Sequence, residues 1–163
     1  MAVKCTSCGA NVSDYDKVCS YCGSENPEYR SPDKEITILM SSGVELFYKE
    51  HYAAAIACFL EVIDRTPEMF DAYFYLSACF SALNRPGEAL KAMEQAQQIR
   101  PGSAPLYFNL ATLSRQVGRE EDTRKYLEQA LEAAKTDAML TDRKEFENRV
   151  RKELGKYKRW KLF

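Results

Sequence analysis

The chain has 163 residues, 45% of them apolar, and a formal charge of -1; that composition belongs to a folded protein with one modest core plus a small appendage. No apolar run approaches the roughly 20 residues that cross a bilayer, which excludes a membrane-spanning helix. Residues 142–163 carry nine Lys or Arg against four Asp or Glu, leaving fourteen against twenty before them, so broad electrostatic binding to nucleic acid is disfavoured for the acidic body while the basic tail can still reach phosphate or an acidic lipid surface.

The first predicted element is a metal site. Cys5-Thr-Ser-Cys8 and Cys19-Ser-Tyr-Cys22 are two Cys-x2-Cys pairs with ten residues between them, each followed by a glycine, Gly9 and Gly23. A metal knuckle turns backbone N–H groups toward the thiolate sulfurs, and glycine permits the positive φ that such a turn favours. Four thiolates at roughly 2.3 Å fill a tetrahedron and leave no position for water or substrate, so the spacing predicts a structural ion and not a catalytic one. The competing uses of these cysteines are a pair of disulfides or a redox dithiol. No signal peptide precedes them, and Cys58 and Cys79 stand alone in helical context, a pattern that predicts a reducing cytoplasm. Val12, Tyr15 and Val18 are nearly the only apolar residues the loop can bury, so the module is expected to fold only around its metal. The block from Cys5 to Ser24 resembles the short zinc ribbon common at the ends of bacterial proteins. The resemblance implies one structural Zn2+ per chain on Cys5, Cys8, Cys19 and Cys22, in a ribbon assigned to residues 1–24, with 25–34 as a linker stiffened by its Asn-Pro and Ser-Pro steps. Whether the ribbon docks on the next element or meets a separate partner is open.

Beyond the linker the period becomes helical. Ser31 followed by Pro32 reads as an N-cap with proline in the first turn. Ile36, Leu39, Met40, Gly43, Val44 and Phe47 keep 3.6-residue spacing, as do Ala55, Ile56, Phe59, Val62 and Ile63, with Lys49 to Tyr52 turning between them. The chain then repeats itself every 34 residues: Pro67 and Pro101; Ala55, Ala89 and Thr123; Tyr73 and Tyr107; Leu76 and Leu110; Gly43, Ser77 and Ala111; Ala96 and Ala130. This pattern resembles the tetratricopeptide repeat, which places small residues where paired helices approach closely and proline at the end of the second helix. The resemblance implies an all-α fold, a right-handed α-solenoid of three helix-turn-helix repeats over residues 35–136 (36–69, 70–103 and 104–136). The third repeat departs from the pattern at Thr123 and Lys135, as terminal repeats do.

Residues 137–163 are predicted to form a capping helix and a basic aromatic tail. Asp142 and Glu145 suit a capping box, and Phe146, Val150, Leu154 and Tyr157 make one apolar stripe for the open end of repeat three. The tail mixes cations with aromatics. It reads as a solvated helix end, with docking of Trp160 and Phe163 on a partner or a membrane surface as the alternative.

The resemblance implies a concave face lined by the first helix of each repeat: Met40, Val44, Phe47 and Tyr48, then Phe74 and Tyr75, then Phe108, Asn109, Thr112, Arg115 and Gln116. Some tetratricopeptide proteins clamp acidic chaperone tails with Lys, Asn and Arg at defined positions; those positions here hold Met40, Val44, Tyr75, Pro105 and Asn109. The wall instead suits an apolar or amphipathic segment of a protein or peptide. His51 stands in a turn with no second histidine in the chain, helical Cys58 and Cys79 lack an activating neighbour, and neither a phosphate-cradling glycine loop nor a nucleophile elbow is present. The expectation is therefore a non-enzymatic, cytoplasmic interaction adaptor or assembly subunit, with a homo-oligomer left open. The alternative is a nucleic-acid-binding protein that uses the ribbon and basic tail.

Overall fold

The computed structural model describes residues 2–13, 17–19, 21–29, 32–137 and 140–158. In the N-terminal module β1 (Ala2–Lys4) and β2 (Asn11–Ser13) pair antiparallel with Val3 opposite Val12, and a bridge joins Val18 to Glu25. Cys5, Val12 and Cys19 form its buried centre, with Val3 packed against them. Val18, expected inside, is 50% exposed. Adjacent residues of an extended segment face opposite ways, and Cys19 takes the inward side. Tyr15, the third apolar residue expected there, lies outside the described residues. Asn26 is buried; its N–H donates to the Lys17 carbonyl at 3.0 Å and its side-chain oxygen accepts from the Glu28 N–H. Ordered ribbon structure thus continues beyond Ser24. Three buried side chains are too few to offset the entropy of ordering this segment, so its stability must come from cross-linking at the cysteines.

Seven helices follow among the described residues: α1 (Pro32–Tyr48), α2 (Tyr52–Arg65), α3 (Phe70–Ala82), α4 (Pro86–Ile99), α5 (Ala104–Gln116), α6 (Glu120–Ala134) and α7 (Arg143–Lys158). Ser31, read as the first N-cap, is outside the described residues. Helices α1 to α6 form three hairpins, α1 with α2, α3 with α4 and α5 with α6, and each hairpin packs on the next through α2–α3 and α4–α5. The three hairpin turns are 34 residues apart and share one geometry. Glu50, Asn84 and Gly118 adopt φ of 62, 55 and 78°, and the next N–H in each turn bonds back to Leu46, Phe80 or Ser114 at 2.9 Å. This six-to-one bond is the usual closure of a helix whose last residue turns left-handed.

Small residues explain how closely the helices pack. Gly43, Ser77 and Ala111 are buried, as are Ala55, Ala89 and Thr123 on the second helices. A Cβ on Gly43 would lie 2.7 Å from the Phe59 ring. Across the repeats the second-helix residue shrinks from Phe59 to Met93 and Leu127 while its first-helix counterpart grows from Gly43 to Ser77 and Ala111. Ser77 also donates to the Ala89 carbonyl at 2.8 Å, satisfying a hydroxyl that the interface buries.

Helix α7 covers the far end. Phe146, Val150 and Leu154 are buried in one cluster with Ala111, Leu127, Ala130 and Ala134, each apolar side chain contributing about 1.5–3 kcal/mol by leaving water. Asp142 caps the helix by accepting from the Glu145 N–H at 3.0 Å. In place of a third proline, the chain after α6 runs to Asp137, whose carboxylate accepts from the Ala104 N–H at 2.9 Å. The end of the third repeat therefore caps that repeat's own first helix.

Candidate metal centre and partner-binding face

The two knuckles are built alike. The Gly9 N–H donates to the Cys5 carbonyl at 2.9 Å and the Gly23 N–H to the Cys19 carbonyl at 2.8 Å, with both glycines left-handed at φ 74 and 73°. Closing each turn are bonds from the Cys5 N–H to Ala10 and from the Cys19 N–H to Ser24. They bring the four Sγ atoms within 4.8 Å of one another. Cys5 and Cys22 stand 3.6 Å apart and Cys8 and Cys19 3.7 Å. A tetrahedron with metal–sulfur bonds of about 2.3 Å has edges of about 3.8 Å, so the donor set fits one four-coordinate ion. Among the described residues this is the cluster of Cys, His, Asp or Glu side chains that could hold a metal.

A feature absent from the sequence reading is Ser24, whose Oγ lies 3.3 Å from the Cys5 Sγ and 3.1 Å from the Cys22 Sγ, touching one thiol of each knuckle. The matching residue of the first knuckle is Ala10, so this hydroxyl breaks the local symmetry. The Ser24 hydroxyl, assisted by the backbone N–H groups of Cys8 and Ser7, holds the Cys5 thiol down to about 6. Ser24 also lowers Cys22. The Ala10 N–H favours the Cys8 thiolate, but the neighbouring sulfurs of Cys22, Cys5 and Cys19, with burial, outweigh it and push Cys8 up to about 12. Four sulfurs this close cannot all ionise without a cation between them.

On the first helices of the array, the residues expected to line a groove fall into two regions. Met40, Val44 and Phe47 are half-buried beside the first core cluster, and Tyr48 is 72% exposed. Tyr75 stacks on Phe59 at 5.5 Å and meets Phe47 and Phe74 edge-on. Burial, with the hydrogen bond to Tyr48 second, raises the Tyr75 phenol. These rings form a continuous aromatic end. The other region lies between α3 and α5, where a hollow of about 280 Å³ is lined by Phe74, Ala78, Met93, Asn109, Thr112 and Gln116, among others. Phe108 and Arg115 sit farther along, against α7. The Phe108 ring meets Phe146 edge-on at 5.8 Å, and Arg115 pairs with Glu153 at 2.7 Å. Lys156 and then Arg115 hold the Glu153 carboxyl below its ordinary value. Trp160 and Phe163 lie outside the described residues. His51 ends its turn as an exposed residue preceding α2. No helix among the described residues is long and apolar enough to cross a membrane.

Comparison with known proteins agrees with this architecture. The zinc-ribbon domain family matches residues 4–26, and the tetratricopeptide repeat family matches residues 42–104 and 104–137. No curated protein matches the chain. Among solved structures, the Yersinia enterocolitica type III secretion translocator chaperone SycD superposes with a TM-score of 0.69 at 19% identity, covering 82% of this chain and 90% of that one. PcrH, in complex with the chaperone binding region of PopD, gives 0.68 at 15% identity over 80% and 96% of the two chains. The Sgt2 TPR domain from Aspergillus fumigatus gives 0.62 at 17% identity over 79% and 83%. At these identities the likeness is one of fold.

Proposed function

This chain belongs to the tetratricopeptide repeat family and carries a zinc-ribbon domain ahead of its repeats, and from that premise we propose that it is a non-catalytic adaptor or assembly subunit. Its α1, α3 and α5 face holds an apolar or amphipathic segment of a partner protein. Cys5, Cys8, Cys19 and Cys22 hold one structural Zn2+, in a reducing, cytoplasmic setting that keeps the thiols available. The observation that carries the reading is the run of half-buried and exposed side chains from Tyr48 through Phe74 and Tyr75 to Asn109 and Gln116, beside a hollow that nothing in the chain's own described helices fills. PcrH, which has the same fold, is seen with a segment of another protein, and this supports the assignment. Nucleic acid is the weaker reading, because residues 1–141 carry twenty Asp or Glu against fourteen Lys or Arg and two cations of α7 already face carboxylates, Arg151 with Glu147 and Lys156 with Glu153.

The test is affinity capture from the native cell with the intact protein and with a Tyr48→Ala, Gln116→Ala double variant, both checked by circular dichroism. Proteins retained by the first and lost by the second identify the face. An unchanged captured set, with both proteins folded, refutes it. Elemental analysis of the purified protein should give one zinc per chain.

A further inference from the structure

Helix α7 does more than cover the last repeat. It packs on α6 and meets α5 through Phe146 against Phe108 and Glu153 against Arg115, and beside these contacts lies a second hollow of about 240 Å³, bounded by Phe108, Ala111, Thr112, Leu127, Arg149 and Tyr157. That is below the roughly 300–1,000 Å³ of small-molecule sites and suits one or two side chains of a docked segment. Its charges are unequal. Glu153, on the same rim, is already held by Arg115 and Lys156. Arg149 has no carboxylate partner among the described residues. Its guanidinium lies 4.8 Å from the centre of the Phe108 ring and 5.5 Å from that of Phe146. The two rings hold the cation beside them, and Arg149 is otherwise exposed, so its guanidinium can take a carboxylate through two parallel hydrogen bonds.

We propose that this hollow is the specificity pocket of the partner face and that it takes a segment in which an aliphatic side chain is followed closely by a carboxylate. The aliphatic group sits against Phe108, Thr112 and Tyr157, above the buried Ala111 and Leu127, and the carboxylate meets Arg149. The proposal rests on the adaptor reading above and names the chemistry of the partner that reading leaves general. It gives α7 a part in recognition that none of the three repeats supplies, since both the cation and the far wall of the pocket come from it.

The experiment selects phage-displayed random peptides on the full-length, zinc-loaded protein and measures the enriched peptides by fluorescence anisotropy. Enriched sequences should pair an aliphatic residue with Asp or Glu at constant spacing. Replacing that acid by its amide should weaken binding about tenfold, the size of one lost charge-assisted contact. Arg149→Gln should lose the same factor against the acidic peptide and should no longer distinguish acid from amide, while Arg149→Lys, which keeps the charge without the planar fork, should fall between. If no peptide is enriched, the adaptor reading itself fails. If apolar peptides are enriched without an acid, or Arg149→Gln binds the acidic peptide unchanged, the face stands and this pocket assignment falls. Enrichment of basic peptides overturns it outright. The acid-to-amide comparison on the unmodified protein decides the question even if the Arg149 variants fold poorly.

Discussion

Adding one methyl group at Gly43 should destabilise the protein, although the usual effect of that change in a helix is the reverse. Replacing a helical glycine by alanine gains about 1 kcal/mol from reduced backbone entropy of the unfolded chain. At Gly43, however, the new Cβ would stand 2.7, 2.9 and 3.1 Å from three carbons of the Phe59 ring. That ring is fully buried and stacked on Tyr75, so it cannot swing into solvent. Forcing it aside costs about 1–3 kcal/mol as overpacking and up to about 1.5 kcal/mol if the stack is lost. The net is a loss of about 1–2 kcal/mol, which lowers the melting midpoint by roughly 4–8 °C for an array of this size. Gly155, in α7, is the control, because a Cβ there meets nothing within 4 Å; Gly155→Ala should raise the midpoint by about 2–4 °C. Thermal circular dichroism at 222 nm on the zinc-loaded protein reads both. Adding Phe59→Leu to Gly43→Ala should recover part of the loss, as a coupled pair must. A midpoint for Gly43→Ala equal to or above that of the unmodified protein refutes the steric argument, and with it the account of why a small residue recurs at this register.

Four further outcomes are expected. Ser24→Ala should weaken zinc binding about 10- to 100-fold in competition with a chromophoric chelator, the usual cost of deleting a hydrogen bond to a metal ligand, while helical circular dichroism stays unchanged; equal affinities would show that the hydroxyl contributes nothing. Glu50→Gly should stabilise the array by about 0.5–1 kcal/mol in urea unfolding, since glycine adopts the left-handed φ of 62° without a Cβ penalty; a destabilised variant would mean that the glutamate side chain matters more than its backbone. Truncation after Asp137 removes Phe146, Val150 and Leu154 from their cluster and should yield a protein that aggregates or dimerises in light scattering; a stable monomer would deny α7 its covering role. Burial pushes the Cys79 thiol up to about 11, so the unfolded state ionises first as pH rises; the contribution of this thiol to stability is whole below about 9 and lost through 11, and iodoacetamide at pH 8 should modify Cys79 only on unfolding.

Much of this architecture is legible in the sequence because its constraints recur in the sequence. A knuckle needs glycine after its second cysteine, and both knuckles have one. Helices that touch need small residues, and 34-residue spacing displays them at Gly43, Ser77 and Ala111 together. The α7 stripe is visible because burial at Phe146, Val150 and Leu154 follows helical spacing. What stays hidden depends on partners distant along the chain. Gly118 announces its left-handed turn, whereas Glu50 does the same work with no chemical signal. Val3 and Val18 are equally apolar, and only strand pairing decides that Val3 packs inside while Val18 faces water. Asp137 bonds the backbone of a residue 33 positions earlier, and no local pattern marks it. Ser24 gains its two sulfur contacts only once the knuckles meet. Arg149 looks like one more cation of a basic tail until α7 packs on the third hairpin and sets it over Phe108.

The order in which the helices touch also determines how the array yields to load. Each helix is fastened chiefly to its neighbours in sequence, so a pull along the axis passes through the joints in series, as through the links of a chain, and the softest joint takes up most of the extension. Hairpin interiors are packed more extensively than the joints between hairpins, and α1 reaches past α2 to brace α3, whereas α3 has no comparable brace on α5. One such joint is that between α4 and α5, where Leu90, Met93, Leu106 and Leu110 share one buried cluster. It lies under the hollow shared by Phe74 and Asn109, so a load that strains this joint changes the width of that hollow.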